Sequence, residues 1–233
     1  HSRSRPPRRQ SQFGSRVTGC RMPRPVLFVL AGVNGAGKSS VGGYLLARAG
    51  LSWFDPDAFA RELRAGTGIG EAAGNSVAWQ EGMRRLESAI ARRENHAFET
   101  TLGGRTVPAK IREAARSHEV VMWFCGLASP QQHIERVAAR VAAGGHDIPA
   151  GKIRERFATS RENLIALMPH LTHLTVYDNS ADVGAGEAIP DPVLVAEMKS
   201  GRLVWPQSRR DLARTPEWAK PLLEAALGGL HGG

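Results

Sequence analysis

Long apolar runs are missing from this 233-residue chain. No stretch approaches the ~20 consecutive apolar residues of a membrane-spanning helix. The longest clean run, Val26 to Ala31, has the length of a strand. Cysteine is nearly absent: Cys20 and Cys125 are the only two. Two cysteines exclude a disulfide framework, and no CxxC or His-rich tract offers a structural metal site. Both thiols are expected to be free in a reducing, cytoplasmic setting. His170 and His173 stand three apart without a third ligand in view, and mark a helix-to-strand junction rather than a metal site. Acidic residues are missing from one place in particular. Residues 1–24 hold seven arginines and no Asp or Glu, so the formal charge of +9 falls to 9 − 7 = +2 for the remainder. That near balance removes bulk basicity as an argument for nucleic-acid binding. The Arg-, Ser- and Pro-rich leader has no apolar core of a secretory signal and reads as a disordered extension, with the working domain starting near Met22.

What remains is a chain with 42% hydrophobic residues, enough for one sizeable core. Strand and helix signals alternate. Strands are expected at Val26 to Ala31, at "LSWFD" (51–55), at "HAFET" (96–100), from Glu119 to Cys125 and from Leu171 to Tyr177. Helices are expected from Lys38 to Ala49, over a broken stretch after Pro56, from Val77 to Arg93, from Thr106 to Ser117, from Pro130 to about Ala143 with Ser129 as cap, and from about Ala150 to Leu167. Alternation of this kind predicts an α/β fold: a mostly parallel five-stranded sheet with helices on both faces. "VLVAEMKSGRLVW" then reads as a hairpin turning at Ser200-Gly201, and Thr215 to Leu227 as a last helix. The expected organisation is a leader (1–24), a main domain (25–180) and a C-terminal hairpin and helix packed on it (181–233).

One loop interrupts the best core material. "GVNGAGKS" (32–39) matches G-x-x-x-x-G-K-[ST] at every fixed position and lies between an expected strand and an expected helix. Glycines free the backbone so that successive N–H groups turn inward around phosphate oxygens, and the following helix aims its positive end at the same anion. Gly32, Val33, Asn34, Gly35, Ala36, Gly37, Lys38, Ser39 and Ser40 are therefore the expected nucleotide-binding set. Lys38 brings a mobile positive charge to the β- and γ-phosphates, and Ser39 a hydroxyl to Mg²⁺. ATP and Mg²⁺ are the cofactors implied, on a P-loop NTPase fold.

The loop does not name the phosphate acceptor. Three places at strand ends carry suitable chemistry. Asp57, just past Pro56, reads equally as a general base or as a helix cap. Glu99 and Thr101, ending the third strand, alternate with Thr100 and are either acceptor-holding groups or strand-end caps. Arg136, Arg140, Arg154, Arg156 and Arg161 surround the "GGHDIP" break as either a cationic lid or a solvated face. Of these, Arg140 and Arg156 flank the break and are the two retained as lid candidates.

Taken together, "GVNGAGKSS", "DPDAFA", "FETTL", "ARVAAGGHDIPAGKIRERFATSRENL" and "YDNS", in this order, resemble the zeta toxin family of P-loop kinases over about residues 25 to 180. The resemblance implies an ATP-dependent kinase that phosphorylates the sugar 3′-hydroxyl of UDP-N-acetylglucosamine. It implies that Asp57 takes the hydroxyl proton, that Glu99 and Thr101 hold the nucleotide sugar, with Arg105 beside them, and that Arg140 and Arg156 bind phosphate. It also raises an antitoxin protein as a partner. "GGHDIP" and the trailing hairpin fit the predicted-ATPase relatives better than the plasmid toxins. Other readings are a kinase for an antibiotic, a nucleoside or an RNA end, and a regulatory ATPase. The last expects an LSGGQ signature or an apolar strand ending in Asp-Glu, and neither is present.

Overall fold

A computed structural model describes residues 23–39, 42, 53–181 and 191–228. Most of the leader with Cys20, Ser40, the body of the helix expected to Ala49, Leu51 and Ser52, the 182–190 linker and residues 229–233 lie outside the described residues.

The centre of the molecule is β1 (Val26–Ala31), flanked in parallel by β2 (His96–Thr100) and β3 (Glu119–Gly126). Leu27, Val29, Leu30 and Ala31 are all buried. A strand covered on both faces needs a continuous apolar run rather than alternation, and this sequence supplies one. β4 (His173–Asp178) adds to β3 in parallel. β5 (Val193–Lys199) and β6 (Arg202–Trp205) form the expected hairpin, and β5 pairs antiparallel with β4. The hairpin thus extends the main sheet to six strands in the order β2-β1-β3-β4-β5-β6. Ser200 (φ 49°) and Gly201 (φ 76°) both take the left-handed conformation, as a tight two-residue hairpin turn requires.

The strand expected at 51–55 is, among the described residues, a single bridge. Phe54 N–H donates to Ala97 O at 3.0 Å and Phe54 O accepts from Glu99 N at 3.0 Å. Pro56 has no N–H to continue the ladder and instead opens α1 (Pro56–Thr67), capped by Asp55, whose carboxylate accepts from Asp57 N at 2.9 Å. The chain breaks at Gly68–Gly70 and resumes as α2 (Glu71–Arg92), which starts a turn and a half before the expected Val77. α1 and α2 pack at close range because Gly74 lies against the Arg64 side chain, where a Cβ would meet Cγ at 3.2 Å.

α3 (Thr106–Ala114), α4 (Pro130–Ala142) and α5 (Ala150–Leu167) follow expectation closely, with Ser129 accepting from Gln132 N at 3.2 Å at the start of α4. The single last helix is instead short pieces: α6 (Arg209–Leu212), a 3₁₀ turn (Glu217–Ala219) after Pro216, and α7 (Lys220–Gly228). Trp218, Leu222 and Leu223 from this region join Met122, Phe124, Leu174 and Val176 in the main core. Among the described residues, no helix is long and apolar enough to cross a membrane. The C-terminal ends of β1 to β4 bring Gly32, Thr100, Gly126 and Asp178 to one edge of the sheet.

Candidate active site

The glycine loop leaves β1 at Gly32, whose N–H donates to Thr100 O at 3.2 Å. Gly32 has φ 145°, and a Cβ there would lie 2.3 Å from the carbonyl oxygen of Cys125. Gly37 has φ 80°, and its Cβ would lie 2.3 Å from Asn179 Nδ2. Both positions need a left-handed backbone and have no room for a side chain. Lys38 and Ser39 are the first helical residues after them. Gly32→Ala is accordingly expected to destabilise the fold by about 2 kcal/mol or more, through strain and the clash with β3. Chemical denaturation compared with Gly66→Ala, a position with open space, checks this.

Three side chains from distant elements hold the loop. His133 on α4 donates from Nδ1 to Asn34 O at 2.8 Å, and Asn179 after β4 donates to Ala36 O at 3.0 Å. Arg156 on α5 donates to Asn34 Oδ1 at 2.7 Å. Burial pulls the His133 imidazole down to about 4 even though the Asn34 carbonyl opposes it. The ring is therefore neutral at physiological pH, with its single proton on Nδ1 facing the carbonyl. The next residue to Asn179, Asp178, accepts from Trp218 Nε1 at 3.2 Å, which ties the loop support to the C-terminal elements.

Lys38 is buried and forms an ion pair with Glu99 at 3.3 Å, the two side chains being 7% and 12% exposed. Burial pushes the Glu99 carboxyl above its ordinary range; Lys38 opposes that rise, and the nearby charges of Asp55 and Asp57 reinforce it. Glu99 Oε2 has no partner among the described residues. A buried carboxylate with one uncommitted oxygen beside a buried ammonium is poised to exchange partners when a ligand enters. Cys125, buried at the end of β3, has its thiol pushed up to about 12 by burial and is unreactive.

Beyond Lys38 opens a cavity of about 570 Å³. Asn34, Lys38, Asp57, Glu99, Thr101 and Arg156 all line it, so the glycine loop and residues from all three candidate places meet there. Asp57, 47% exposed, lies 3.9 Å from Nε2 of His146. Arg140 is not on the wall: its Nη2 donates to His146 O at 3.2 Å, and it stands behind the loop that forms the wall. Arg105, expected beside the acceptor, is exposed at the start of α3 and outside the lining. Ser39 is exposed at the start of its helix. Of the other arginines, Arg136 donates to Ala181 O, Arg161 donates to Trp218 O and stacks 4.4 Å from the Phe157 ring, and Arg154 is exposed.

Sequence reasoning missed His133, His146 and Trp79, and gave Asn179 no role. Trp79 on α2 lines the cavity with half its surface exposed. Asn179 lies in "YDNS", whose position at a strand end was the available signal; His146 lies in "GGHDIP", read only as a helix break.

A phosphate-cradling loop at the carboxyl edge of a parallel sheet, with a lysine opening the next helix, defines a P-loop protein of kinase-like α/β fold. The model of the AAA domain family matches residues 27–164, more than half of the chain, and the chain belongs to that family. No curated protein matches it. Solved structures share the fold. The AvrRxo1-ORF1:-ORF2 complex with ATP superposes with a TM-score of 0.59 at 17% identity, covering 88% of this chain and 64% of that one. The chain thus spans a little under two thirds of that protein's length. In the native form of the same complex the values are 0.60, 16%, 88% and 71%. The PezAT chromosomal toxin-antitoxin system of Streptococcus pneumoniae gives 0.55 at 15% identity, covering 89% and 85%.

Proposed function

We propose that the chain is an ATP-dependent kinase that transfers the γ-phosphate to a hydroxyl of a nucleotide sugar such as UDP-N-acetylglucosamine. The observation that carries this reading is the shared cavity: Lys38 at the end of the glycine loop and the half-exposed carboxylate of Asp57 line the same 570 Å³ space. A hydrolase needs only water there; an open acidic wall opposite the phosphate site leaves room for a second substrate.

In this mechanism the amides of Gly35 and of Gly37 to Ser39 bind the triphosphate, Ala36 N–H being held by Val33 O at 3.1 Å, and Lys38 turns from Glu99 toward the β- and γ-phosphates. Arg156, now on Asn34, is close enough to the loop to share the charge of the moving phosphoryl group. Arg140 supports the lid from behind. Asp57 accepts the proton of the acceptor hydroxyl; the new O–P bond forms as the bond to ADP breaks, its electrons leaving with ADP. Glu99 and Thr101 hold the acceptor, Glu99 through the oxygen that has no partner. Mg²⁺ suits the site because it takes most of its ligands from phosphates and water, and the chain offers it one hydroxyl, Ser39, at the helix start. Among the described residues no cluster of three His, Cys, Asp or Glu side chains competes for a metal. When bound, the ion would neutralise charge on the phosphates.

The resemblance to zeta toxins supports the nucleotide-sugar acceptor. Similar structures, one with ATP and one a toxin-antitoxin system, support ATP as donor and a protein antitoxin as partner. Incubation with ATP, Mg²⁺ and a panel of hydroxyl acceptors, followed by mass spectrometry, tests the reading. A phosphorylated UDP-N-acetylglucosamine is the expected product. Phosphorylation of another acceptor alone would replace the substrate, and release of free phosphate alone would sink the kinase reading.

A further inference from the structure

The loop 143–149 between α4 and α5 does more than break a helix. Gly144 takes φ 91°, and a Cβ on Gly145 would lie 2.7 Å from Arg140 Cγ and 2.9 Å from Arg140 O. Gly145 N–H donates to Arg140 O at 2.9 Å, and Arg140 Nη2 returns to His146 O at 3.2 Å. Asp147 fixes the other side, its Oδ1 accepting from Ile148 N at 2.8 Å. The backbone of His146 is thereby held through its carbonyl by Arg140. Its imidazole is 15% exposed, lines the cavity, and has Nε2 3.9 Å from Oδ2 of Asp57 on α1. A largely buried ring beside a half-exposed carboxylate is an arrangement by which one group can orient another.

We propose that His146 is a positioning residue for Asp57: its Nε2–H holds Oδ2 of the carboxylate, so that Oδ1 receives the proton of the acceptor hydroxyl. This deepens the kinase reading and rests on Asp57 being the base. A ring N–H offered to one carboxylate oxygen orients that carboxylate and leaves the other oxygen free for the hydroxyl proton. At 3.9 Å the two groups are beyond hydrogen-bond distance, and Asp57, the more exposed partner, is the one with room to move. The proton taken from the hydroxyl stays on Asp57 and leaves to solvent after ADP and product depart. Other charges share the setting. Asp55, Lys38, Glu99, Lys152, Glu155 and Arg156 line the same cavity, Asp147 is on the loop itself, and Arg140 stands behind it. A test must therefore change Asp57 alone and keep the rest.

The measurement is the NMR spectrum of the His146 ring at one fixed pH in the full chain and in Asp57→Asn, with His146→Ala identifying the resonances. Replacing the Asp57 carboxylate should move the ring nitrogen resonances of His146; unmoved resonances overturn the pairing, whatever the acceptor. Kinetics with ATP and UDP-N-acetylglucosamine form the second arm. His146→Ala should lower kcat tenfold or more with the KM for ATP unchanged, and His146→Gln, which keeps a donor, should recover part of it. Wild-type kcat in His146→Ala, with transfer abolished in Asp57→Asn, defeats this inference and leaves the kinase reading standing. Full transfer by Asp57→Asn defeats the reading itself.

Discussion

Asp57→Asn is expected to lower phosphoryl transfer by about 10²- to 10⁴-fold, the usual contribution of a positioned general base, while Mg²⁺-ATP binds as before. The separation follows from position. Asp57 belongs to α1 and lines the cavity, and its backbone bond goes to Asp55 rather than to the glycine loop. Its fold role is confined to the first turn, where the cap is Asp55 rather than Asp57 itself. Asparagine keeps the size and the backbone N–H that Asp55 accepts, so the melting temperature should stay near that of the wild type. Single-turnover assays with labelled ATP measure the effect. Transfer at the wild-type rate would remove Asp57 from the chemistry.

Lys38→Ala should abolish transfer by a different route. The ammonium is the only lysine on the loop, and losing such a charge at the phosphates costs about 10²- to 10³-fold in rate, along with weaker ATP binding. It also strands Glu99. Removing one partner of a buried pair destabilises by about 3 kcal/mol or more when the other stays charged. Glu99 escapes that penalty by taking a proton. Its folded-state pKa already lies above the ordinary value of 4.5 because of burial, and removing Lys38 takes away the neighbouring charge that opposes the rise. A raised carboxyl binds more protons folded than unfolded, so stability is lost as pH climbs from the ordinary carboxylate range through the raised value. The variant should therefore be close to wild-type stability near pH 4 and clearly weaker at pH 8. Denaturation midpoints at the two pH values check this; a penalty independent of pH would show that Glu99 is not the stranded group.

What could be read from the chain alone depended on whether the cause was local. The glycine loop was legible because its requirements are residue by residue: left-handed backbone at Gly32 and Gly37, a charge at Lys38. The turn at Ser200-Gly201 and the Ser129 cap were legible for the same reason. The sheet order was not, since nothing in "VLVAEMK" states which strand it will pair with; β4 was left with an open edge, and the hairpin filled it. "LSWFD" carries strand-forming residues, yet Pro56 and the Asp55 cap turn the chain into a helix after one bridge. Asn179 and His133 support the loop across 143 and 99 residues of sequence, a separation no spacing rule reports. Arg105, which the resemblance places beside the acceptor, is exposed at the start of α3 and outside the cavity lining. Arg140 and Arg156 were paired by symmetry about the glycine break; the fold puts Arg156 on the cavity wall and Arg140 behind it.

The account stands on the loop between Gly32 and Ser39 holding a triphosphate with Asp57 facing the second substrate. Isothermal titration calorimetry of the full chain with Mg²⁺-ATP tests it most directly. One bound ATP per chain for the wild type and for Asp57→Asn, with binding lost or strongly weakened in Lys38→Ala, is the predicted result. Absence of ATP or GTP binding to folded wild-type protein, or equal binding in Lys38→Ala, would contradict it.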